Sequence, residues 1–541
     1  MLDYDNVEQT EQRQKREREE AAVTKTMERK PFWDERLKEL YAQLPLPIPS
    51  GSTGESRCSS WFPTTNTSLP GPSSPETAWR SRMSFRAGAI ASADTMKRPK
   101  KRKRRKSKTG DEGDDQVPAY RVRKVRLRLT RYQAGVLRCW MGGARFVYNK
   151  GVDHVRKTGR ADRTELRRLF AAEKSPLVTK HPWLKKVPYK IREQATDDLH
   201  KAHVANLARR QNDPKHRNWT FQYRSRKVAS AWTIGVVSQC FNQAEVLPRP
   251  ETRKPRKDGK PYTEVEPRLR NWTKLRLFQE KHNKLGDFWA VEALPESVLS
   301  GKRGAHAIKH DCRITMDMLG RFSLCVPIPT EIPPVAKPEA ERIVVALDPG
   351  VRTFQAYYSP DCYGSYADGS IAQIYALCEE IDTKISQQKQ QASSPHTRRM
   401  LRSQVWRLRQ RIRNLVDETH RKVALDLVTR FDTVLIPEFK TKEMCQKIRE
   451  DGRRRTLRSK TARQMLTWAH YRFRTRLEHK ALACGKEVAT VTEEYTSVTC
   501  GRCGHVNKKF SDKIFRCAKC GIVMDRDANG SRNIFLKQIK F

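Results

Sequence analysis

The chain has 541 residues, enough for two to four domains and at least one large apolar core. Its 109 Lys and Arg residues against 61 Asp and Glu residues give a formal net charge of +48, which predicts a polyanionic partner. No stretch approaches the roughly 20 apolar residues of a membrane span, and the amino terminus lacks the apolar region of a secretory signal. We therefore expect an intracellular protein whose partner is nucleic acid and not a membrane.

The first 117 residues are predicted to be mostly disordered, because mixed charge is followed by a run rich in Pro, Ser, Thr and Gly. Ten of the twelve residues in 97–108 are basic. We interpret this run as a nuclear localisation signal. The alternative is a basic tail that binds phosphates without specificity, and one segment can serve both purposes. Without those ten charges the rest of the chain still carries +38, so the folded part must itself be basic.

Order is predicted to begin at Tyr120. In the sequence VRLRLT apolar residues alternate with arginines, which is typical of a strand with one buried face. The other face would present Arg126 and Arg128 to phosphates. Thr130 and Gln133 then form the T-x-x-Q signature of a capping box, which predicts that a helix follows directly.

A second candidate nucleic-acid surface lies in the segment 217–232, where basic and aromatic residues interleave. Tyr223, Arg224 and Arg226 combine a ring for stacking with cations for phosphates. An exposed strand with core aromatics has the same composition, so the segment leaves both interpretations open. Two strands joined around Gly320 are predicted within 312–328.

The pattern changes after a proline-rich linker. The run IVVAL (343–347) is continuously apolar, as in a strand buried on both faces, and it ends abruptly at Asp348. Open α/β sheets place their chemistry at this carboxyl edge. Further apolar runs at 433–437 and 487–491 and a helix over 466–482 predict an α/β domain with a mixed sheet.

A helical hairpin is predicted between the first two of these strands. One helical pattern lies around 374–385, and in the second, from Leu401, apolar residues recur every three or four positions. Its flank is rich in arginine and includes Arg402, Arg409 and Arg413. This flank is either a surface that follows a duplex backbone or simply a solvated basic face.

Two cysteine pairs predict a metal site. Cys500 and Cys503, and again Cys517 and Cys520, have the C-x2-C spacing, and thirteen residues separate the pairs. Disulfides are rare in a reducing compartment, so we predict tetrahedral zinc. Because four thiolates leave no position for water, this zinc should be structural.

Acidic residues lie near these features in an otherwise basic protein. Asp348 follows the first strand, Glu493 and Glu494 follow the 487–491 strand, and Asp525 and Asp527 follow the cysteines. Clustered carboxylates beside a positive surface suit two divalent cations that act on a phosphodiester. For each residue alone a structural role is an alternative; Asp527, for example, could cap a helix that begins near residue 528.

Six motifs in order resemble the RuvC-like nuclease of TnpB proteins, the transposon-encoded relatives of type V CRISPR effectors. They are ALDPGVRTF, DETHRKVALDLV, TVLIPEFKT, WAHYRFRTRLEHKA, EEYTSVTCGRCG and MDRDANGSRNI. The segments YRVRKVRLRLTRYQ and RFVYNKGVDHVR also resemble the amino-terminal oligonucleotide-binding region of TnpB. The basic run, the long extension and the EEYTS motif resemble Fanzor, the eukaryotic branch.

The resemblance implies an α/β fold with an RNase H-like (RuvC) nuclease domain that carries a helical insertion and a zinc ribbon. A β-barrel-like, WED-like oligonucleotide-binding domain with a helical recognition insertion would precede it. The expected boundaries are 1–117 for the extension, 118–340 for the WED-like domain with its insertion at about 131–215, 341–499 and 521–541 for the nuclease, and 500–520 for the ribbon.

The resemblance also implies site residues. Asp348 takes the first catalytic position and Asp527 the last, each as a magnesium ligand, and the four cysteines match the zinc ligands of the family. In TnpB a catalytic Glu ends the strand that here ends at Pro437, followed by Glu438. The resemblance to Fanzor implies the rearranged site of many members of that branch, in which a Glu just before the YTS motif supplies the missing carboxylate. Here that residue is Glu493, and Glu494 and Glu438 are the alternatives for the third carboxylate.

The expected function is that of an RNA-guided, magnesium-dependent DNA endonuclease in the nucleus. Its partners would be a guide RNA of the omega RNA type and double-stranded DNA with a short flanking motif, in a monomeric ribonucleoprotein. Two magnesium ions and one zinc ion are the expected cofactors. The alternatives are a catalytically inactive RNA- and DNA-binding protein and a structure-specific nuclease that needs no guide.

Overall fold

A computed structural model describes part of the chain. The described residues are 64–65, 84–85, 119–212, 220–227, 232–248, 271–278, 285–299, 307–334, 337–338, 341–390, 394–447, 454, 457–507 and 513–540. They divide into two compact units, one within 113–331 and one within 332–541 that also includes the residues at 64–65 and 84–85. Within these ranges no helix combines the length and the apolar character that a membrane crossing demands. The predicted localisation signal, 97–108, lies outside the described residues.

Two short strands lie in the stretch that the sequence predicts to be disordered. They are β1 (Thr64–Thr65), which pairs antiparallel with residues 364–365, and β2 (Ser84–Phe85), which pairs antiparallel with residues 539–540. An edge strand offers unpaired backbone groups to any extended segment, so pairing here depends little on side chains. These four residues therefore differ from the expectation of disorder.

The first unit contains a seven-stranded sheet. Its strands are β3 (Ala119–Arg128), β4 (Thr233–Val236), β5 (Phe241–Pro248), β6 (Asn271–Leu277), β7 (Phe288–Ala290), β8 (Cys312–Met316) and β9 (Phe322–Thr330). The order across the sheet is β4-β8-β9-β3-β7-β6-β5, and all neighbours are antiparallel. The predicted alternation in β3 is confirmed, because Val125 and Leu127 are buried while Arg126 and Arg128 are exposed.

Helices fill the connection from β3 to β4. They are α1 (Arg131–Thr158), α2 (Arg163–Phe170), α3 (Pro176–Lys180) and α4 (Tyr189–Asn212). The predicted capping box is confirmed: Gln133 donates its backbone N–H to Thr130 Oγ1 at 3.2 Å, and Thr130 donates its own to Gln133 Oε1 at 2.9 Å. Helices and sheet share one apolar core.

The second unit contains a six-stranded mixed sheet and smaller pairings. The strands are β10 (Val344–Pro349), β11 (Gln355–Ser359), β12 (Cys362–Tyr366), β13 (Thr433–Pro437), β14 (Glu487–Val491), β15 (Ile514–Arg516), β16 (Val523–Asp525) and β17 (Ile539–Lys540). The order in the main sheet is β1-β12-β11-β10-β13-β14. Strands β10 to β12 form an antiparallel meander, whereas β10, β13 and β14 are parallel, so the predicted mixed sheet is confirmed.

The helices of this unit are α5 (Ser370–Gln390), α6 (Pro395–Arg430), α7 (Thr441–Cys445), α8 (Ser459–Trp468), α9 (His470–Leu482) and α10 (Arg526–Leu536). Helices α5 and α6 pack against each other as the predicted hairpin. The single helix predicted over 466–482 is wrong. Ala469 has a left-handed backbone, with φ of 52°, and this residue divides the segment into α8 and α9.

The two faces of the main sheet have different partners. On one face Val345 and Leu347 of β10 join a core that includes Leu427 of α6 and Phe473 of α9. On the other face the neighbouring residues of β10 join a core with Ile534 and Phe535 of α10. Because side chains along a strand alternate, Asp348 continues the face that packs against α10.

Candidate active site and metal centre

The parallel strands of the second unit end at one edge of the sheet. Ala346 lies opposite Leu435, and when this register is continued by two residues Asp348 lies opposite Pro437. Pro437 in turn pairs with Val491, the last residue of β14. Glu493 follows two residues later and by alternation faces the same side as Val491. The chain thus brings an aspartate and a glutamate to the same edge from two different strands.

Asp527 reaches this edge from α10. The N-cap of this helix is Asp525, whose Oδ1 accepts hydrogen bonds from the backbone N–H groups of Asp527 and Ala528, each at 2.9 Å. The capping role considered for Asp527 is therefore performed by Asp525. The Asp527 carboxylate is left in the first turn, where its side chain is 25% exposed and its Oδ1 lies 3.4 Å from Nη2 of Arg526.

Helix α10 approaches β10 closely because residue 530 is glycine. A Cβ atom at Gly530 would collide with Oδ2 of Asp348 and would lie 3.4 Å from its Cγ. The bare glycine backbone thus forms one wall of the space around the Asp348 carboxylate. Within the described residues, neither oxygen of that carboxylate has a hydrogen bond or an ion pair.

Electrostatics couple the three carboxylates. Burial, then the negative charges of Asp527 and Glu493, raises the pKa of Asp348 well above its usual value. Burial also raises the pKa of Glu493. The pKa of Asp527 is raised by burial and by Asp525, although Arg526 and Lys513 oppose this shift. Together these groups form a half-buried patch of negative charge that a divalent cation would neutralise.

The oxygen atoms of the three carboxylates do not all lie within metal-binding distance of one another. Among the described residues, the four cysteines are the only set of three or more His, Cys, Asp or Glu residues whose ligand atoms all lie within 4.8 Å of one another. Glu438 is exposed beyond the end of β13, and its backbone N–H donates to the carbonyl of Val491 at 3.3 Å. Glu494 is also exposed, with its carboxylate 4.0 Å from Nζ of Lys537.

A buried polar network on α10 was not predicted from the sequence. Asn529 Nδ2 donates to the carbonyl of Thr499 at 2.8 Å, and Asn533 Nδ2 donates to the carbonyl of Thr496 at 2.8 Å. Arg532, fully buried, donates to the carbonyl of Gly501. The helix that supplies Asp527 therefore also holds the segment that follows Glu493. A run of polar residues usually indicates a solvated face, so the sequence carried no distinct signal for this network.

The four cysteines converge as predicted. Sγ of Cys500 lies 3.7 Å from Sγ of Cys520, and Sγ of Cys503 lies 3.5 Å from Sγ of Cys517. A tetrahedron with zinc–sulfur bonds of about 2.3 Å has sulfur–sulfur edges of about 3.8 Å, so the spacing fits a zinc ion held by all four thiolates.

Both cysteine pairs lie on matching turns. Gly504 donates its backbone N–H to the carbonyl of Cys500, and Gly521 donates its own to the carbonyl of Cys517, each at 3.0 Å. Both glycines have positive φ, of 71° and 67°, a conformation that other residues adopt at a cost. The turn geometry thus explains why glycine follows each cysteine pair.

The residues that are predicted to contact nucleic acid differ in the exposure of their side chains. Seven of these residues are exposed and Arg224 is partly buried; the exposed ones are Arg126, Arg128, Tyr223, Arg226, Arg402, Arg409 and Arg413. The Arg409 guanidinium lies over the ring of Trp406, 4.9 Å from its centroid, which keeps the cation at the helix surface. The arginines among them form exposed cationic groups on β3, on the 220–227 segment and on α6.

Tyr223 and Arg224 are engaged within the first unit. The Tyr223 hydroxyl donates to Asp153. Arg224 lies 3.6 Å from the ring centroid of Tyr148, and its Nη2 lies 3.3 Å from Oδ2 of Asp198. Arg224 therefore fixes its segment against α1 and α4, and this position has a structural role that the sequence analysis did not assign.

Two family profiles match parts of the chain. The profile described as "Cas12f1-like, TNB domain" matches residues 470–534, which include α9, β14, the four cysteines and most of α10. The profile described as "Helix-turn-helix domain" matches residues 119–158. In this protein those residues form β3 and α1, a strand followed by one helix.

The chain is similar to proteins named as transposases, as TnpB-like proteins or as CRISPR-associated proteins. Protein A625R of Paramecium bursaria Chlorella virus 1, named provisionally as a transposase, is 29% identical over 77% of this chain and 86% of its own length. TnpB-like protein L79 of Acanthamoeba polyphaga mimivirus is 28% identical over 41% of each chain. The CRISPR-associated endodeoxyribonuclease Cas12f1 of Sulfoacidibacillus thermotolerans is 27% identical over 24% of this chain and 29% of its own. The chain is therefore related to TnpB-like transposases and to Cas12f proteins.

Solved structures of RNA-guided effectors align with the chain at low similarity. The mini-RNA-guided endonuclease CRISPR-Cas_phi3 aligns over 77% of this chain and 92% of its own, at 12% identity and a TM-score of 0.38. CasPhi-2 bound to crRNA aligns over 77% and 98%, at 10% identity and a TM-score of 0.40. At TM-scores this low neither alignment bears on the fold.

Proposed function

We propose that this relative of TnpB-like transposases is an RNA-guided DNA endonuclease whose active site is formed by Asp348, Glu493 and Asp527. The observation that carries the proposal is the meeting of these three carboxylates at one sheet edge, where Asp348 has raised pKa and lacks a hydrogen bond or an ion pair within the described residues. Arg526 lowers the pKa of Asp348, but burial and the charges of Asp527 and Glu493 outweigh this effect. A bound cation would balance the remaining negative charge.

All three carboxylates would hold magnesium in this proposal. Asp348 lies on β10, Glu493 follows β14 and Asp527 lies in the first turn of α10, and carboxylate oxygens are the ligands that magnesium prefers. When bound, the two cations would activate a water and stabilise the leaving oxygen of a phosphodiester. Gly530 keeps the space beside Asp348 open, and Asn529 and Asn533 hold the segment behind Glu493.

The finer placement of the protein is also part of the proposal. Because Pro437 occupies the position opposite Asp348 and Glu438 lies beyond it, Glu493 is the better third ligand, as in the Fanzor arrangement. A nuclear location through 97–108, an omega-type guide RNA, the RuvC-like and WED-like domains, and a monomeric ribonucleoprotein belong to the same hypothesis. The zinc at the four cysteines would hold the ribbon together and take no part in the chemistry.

One observation favours a second function, a nucleic-acid-binding protein without cleavage. The CRISPR-associated DNA-binding protein Cas12m of Thermanaerosceptrum fracticalcis is 32% identical over 25% of this chain and 22% of its own. Its description names DNA binding and no nuclease. Pro437 in place of an acidic residue is compatible with such a function.

Purification of the full-length protein with its bound RNA distinguishes these functions. We expect sequencing to recover one abundant structured RNA from the flank of the gene. With magnesium and matching DNA, the complex should cut, whereas Asp348→Ala should cut at least about 10³-fold more slowly and bind DNA equally well. Binding without cutting by the unaltered complex would favour the second function. Cutting without the RNA would indicate a guide-independent nuclease.

A further inference from the structure

Tyr495 combines two features that are unfavourable in a folded protein. Its backbone is left-handed, with φ of 64°, a region in which bulky residues are rare. Its side chain is also 56% exposed, so the ring gains little from burial. Within the described residues the ring has no aromatic or cation–π partner. Neither packing nor backbone preference explains a tyrosine at this position.

Phe278, the other bulky residue with a left-handed backbone in the described part of the chain, gains contacts from packing that Tyr495 lacks. Phe278 has φ of 60°, but its ring is partly buried and meets the ring of Trp140 edge-on, with centroids 5.5 Å apart. The remaining non-glycine residues with positive φ in the described part of the chain are alanines. Tyr495 therefore differs from Phe278 in presenting its ring to solvent.

The backbone around Tyr495 is firmly held. Its carbonyl accepts hydrogen bonds from Thr499, from the backbone N–H at 3.0 Å and from Oγ1 at 2.8 Å. The carbonyl of Glu493 accepts a hydrogen bond from Oγ1 of Thr496 at 2.8 Å. Asn533 of α10 binds the carbonyl of Thr496. Backbone strain that the surrounding structure maintains in this way is common at functional sites.

The position of Tyr495 connects it to the carboxylates. It lies two residues beyond Glu493, so the two Cα atoms are at most about 7 Å apart. If Glu493 and Asp348 hold cations at the scissile phosphate, as proposed above, a ring anchored there would lie close to the nucleotide next to that phosphate. Exposed aromatic rings beside a path for nucleic acid stack on bases without regard to sequence.

We infer that the ring of Tyr495 stacks on a nucleobase of the bound DNA strand next to the phosphodiester at the three carboxylates. Tyr495 is then a positioning residue, which holds the strand while other groups perform the chemistry. The inference rests on the proposed function, because it takes DNA as the substrate of that site. Its rigid left-handed backbone would present the ring at a fixed angle.

The test uses the full-length protein with its co-purified RNA. Target DNAs carry one 2-aminopurine at successive positions, and each is bound to the Asp348→Ala complex, which should not cut. We expect stacking to quench the fluorescence at one or two adjacent positions. The added substitution Tyr495→Asn should remove this quench and Tyr495→Phe should retain it. Tyr495→Phe is thus the matched control, because it keeps the ring and removes only the hydroxyl.

Cleavage and stability complete the test in proteins that retain Asp348. Tyr495→Asn should cut about 5- to 150-fold more slowly, the range expected for the loss of one stacked base. Asparagine tolerates positive φ, so this variant should unfold at the same temperature or higher, whereas loss of a structural contact would lower it. Unchanged quench and rate in Tyr495→Asn, or their loss in Tyr495→Phe, would overturn the inference. Quenching without any cutting by the unaltered complex would instead overturn the proposed nuclease function.

Discussion

The choice of the third carboxylate in the proposed site depends on the register of the strands, to within one residue. Pro437 pairs with Val491 and is in register with Asp348, so it occupies the place next to the aspartate on the neighbouring strand. Proline has no side chain that can bind a cation, and the next residue, Glu438, is exposed. Glu493 restores a carboxylate from the strand on the other side of Pro437.

We therefore expect Glu493→Ala to lose cleavage by about 10³-fold while Glu438→Ala retains most of it. The physical reason is that alternation directs Glu493 to the face of Asp348, whereas Glu438 lies one residue past that position. Single-turnover cleavage of matched DNA measures both rates. The two substitutions remove the same carboxyl group, so each is the control for the other. The reverse result would assign the third carboxylate to Glu438.

The proposed site should also destabilise the metal-free protein. The pKa of Asp348 is raised, so between the usual carboxyl pKa of about 4 and its folded value the folded state holds a proton that the unfolded state releases. The contribution of this residue to stability therefore falls as pH rises through that window. At neutral pH and without magnesium, Asp348→Asn should be more stable than the natural protein, by on the order of 1 kcal/mol.

Thermal unfolding at several pH values checks this expectation. The difference in melting temperature between Asp348→Asn and the natural protein should shrink as pH falls toward 4, and at neutral pH magnesium should stabilise only the natural protein. Equal melting temperatures at neutral pH without magnesium would mean that the Asp348 carboxylate is not an uncompensated charge.

At the scale of elements, helix α10 organises the site. It covers one face of the main sheet with Ile534 and Phe535, and it holds the loop after β14 through Asn529 and Asn533. Its amino-terminal turn carries Asp527. One helix therefore sets the position of two of the three carboxylates relative to the third, on β10.

The close approach of α10 to β10 gives a prediction at Gly530. In a helix interior Gly→Ala normally stabilises by about 1 kcal/mol. Here the new Cβ would meet the Asp348 carboxylate, so Gly530→Ala should displace that group and slow cleavage by about 10²-fold. The matched control is Gly135→Ala in α1, where an added Cβ would have no atom within 4 Å and cutting should be unchanged. Cleavage by Gly530→Ala at the natural rate would show that Asp348 tolerates the displacement.

The sequence predicts elements well where the apolar pattern is continuous or regularly spaced. The continuous run at 343–347 and the heptad-like run from Leu401 correspond to β10 and α6. Strands β5 and β6 were not predicted. In β5 buried and exposed residues do not alternate, and a register shift between Phe241 and Gln243 interrupts the pairing. The break at Ala469 also escapes prediction, because alanine normally favours a continuous helix.

Site residues were predictable as types but not as contacts. Asp348 follows an apolar run and the cysteines have a diagnostic spacing, so sequence alone identifies both. The role of Gly530 depends on how closely two elements pack, and that distance is a property of the tertiary structure. The same holds for Arg224, whose partner Asp198 lies 26 residues away in the sequence.

At the scale of the whole molecule, positive charge predominates over negative charge. The formal charge of +48 implies that binding to nucleic acid is driven largely by release of counterions, and its affinity should therefore fall steeply with salt. Exposed arginines on β3 in one unit and on α6 in the other contribute to this charge. The three carboxylates are the exception, because under our proposal they would bind cations and would not bind a phosphate directly.

The basic run at 97–108 could act in nuclear import or in binding to DNA, and its deletion distinguishes these two roles. If it acts as an import signal, its deletion should move the protein from nucleus to cytoplasm while guided cleavage in vitro continues at its natural rate. A phosphate-binding arm would instead add contacts to DNA, and its removal would make the logarithm of affinity fall less steeply with the logarithm of salt concentration. Microscopy of the tagged protein and binding titrations at several salt concentrations measure the two effects separately. Replacing its ten basic residues by glutamine, at unchanged length, controls for spacing. Slower cleavage with a shallower salt dependence would assign the run to DNA binding.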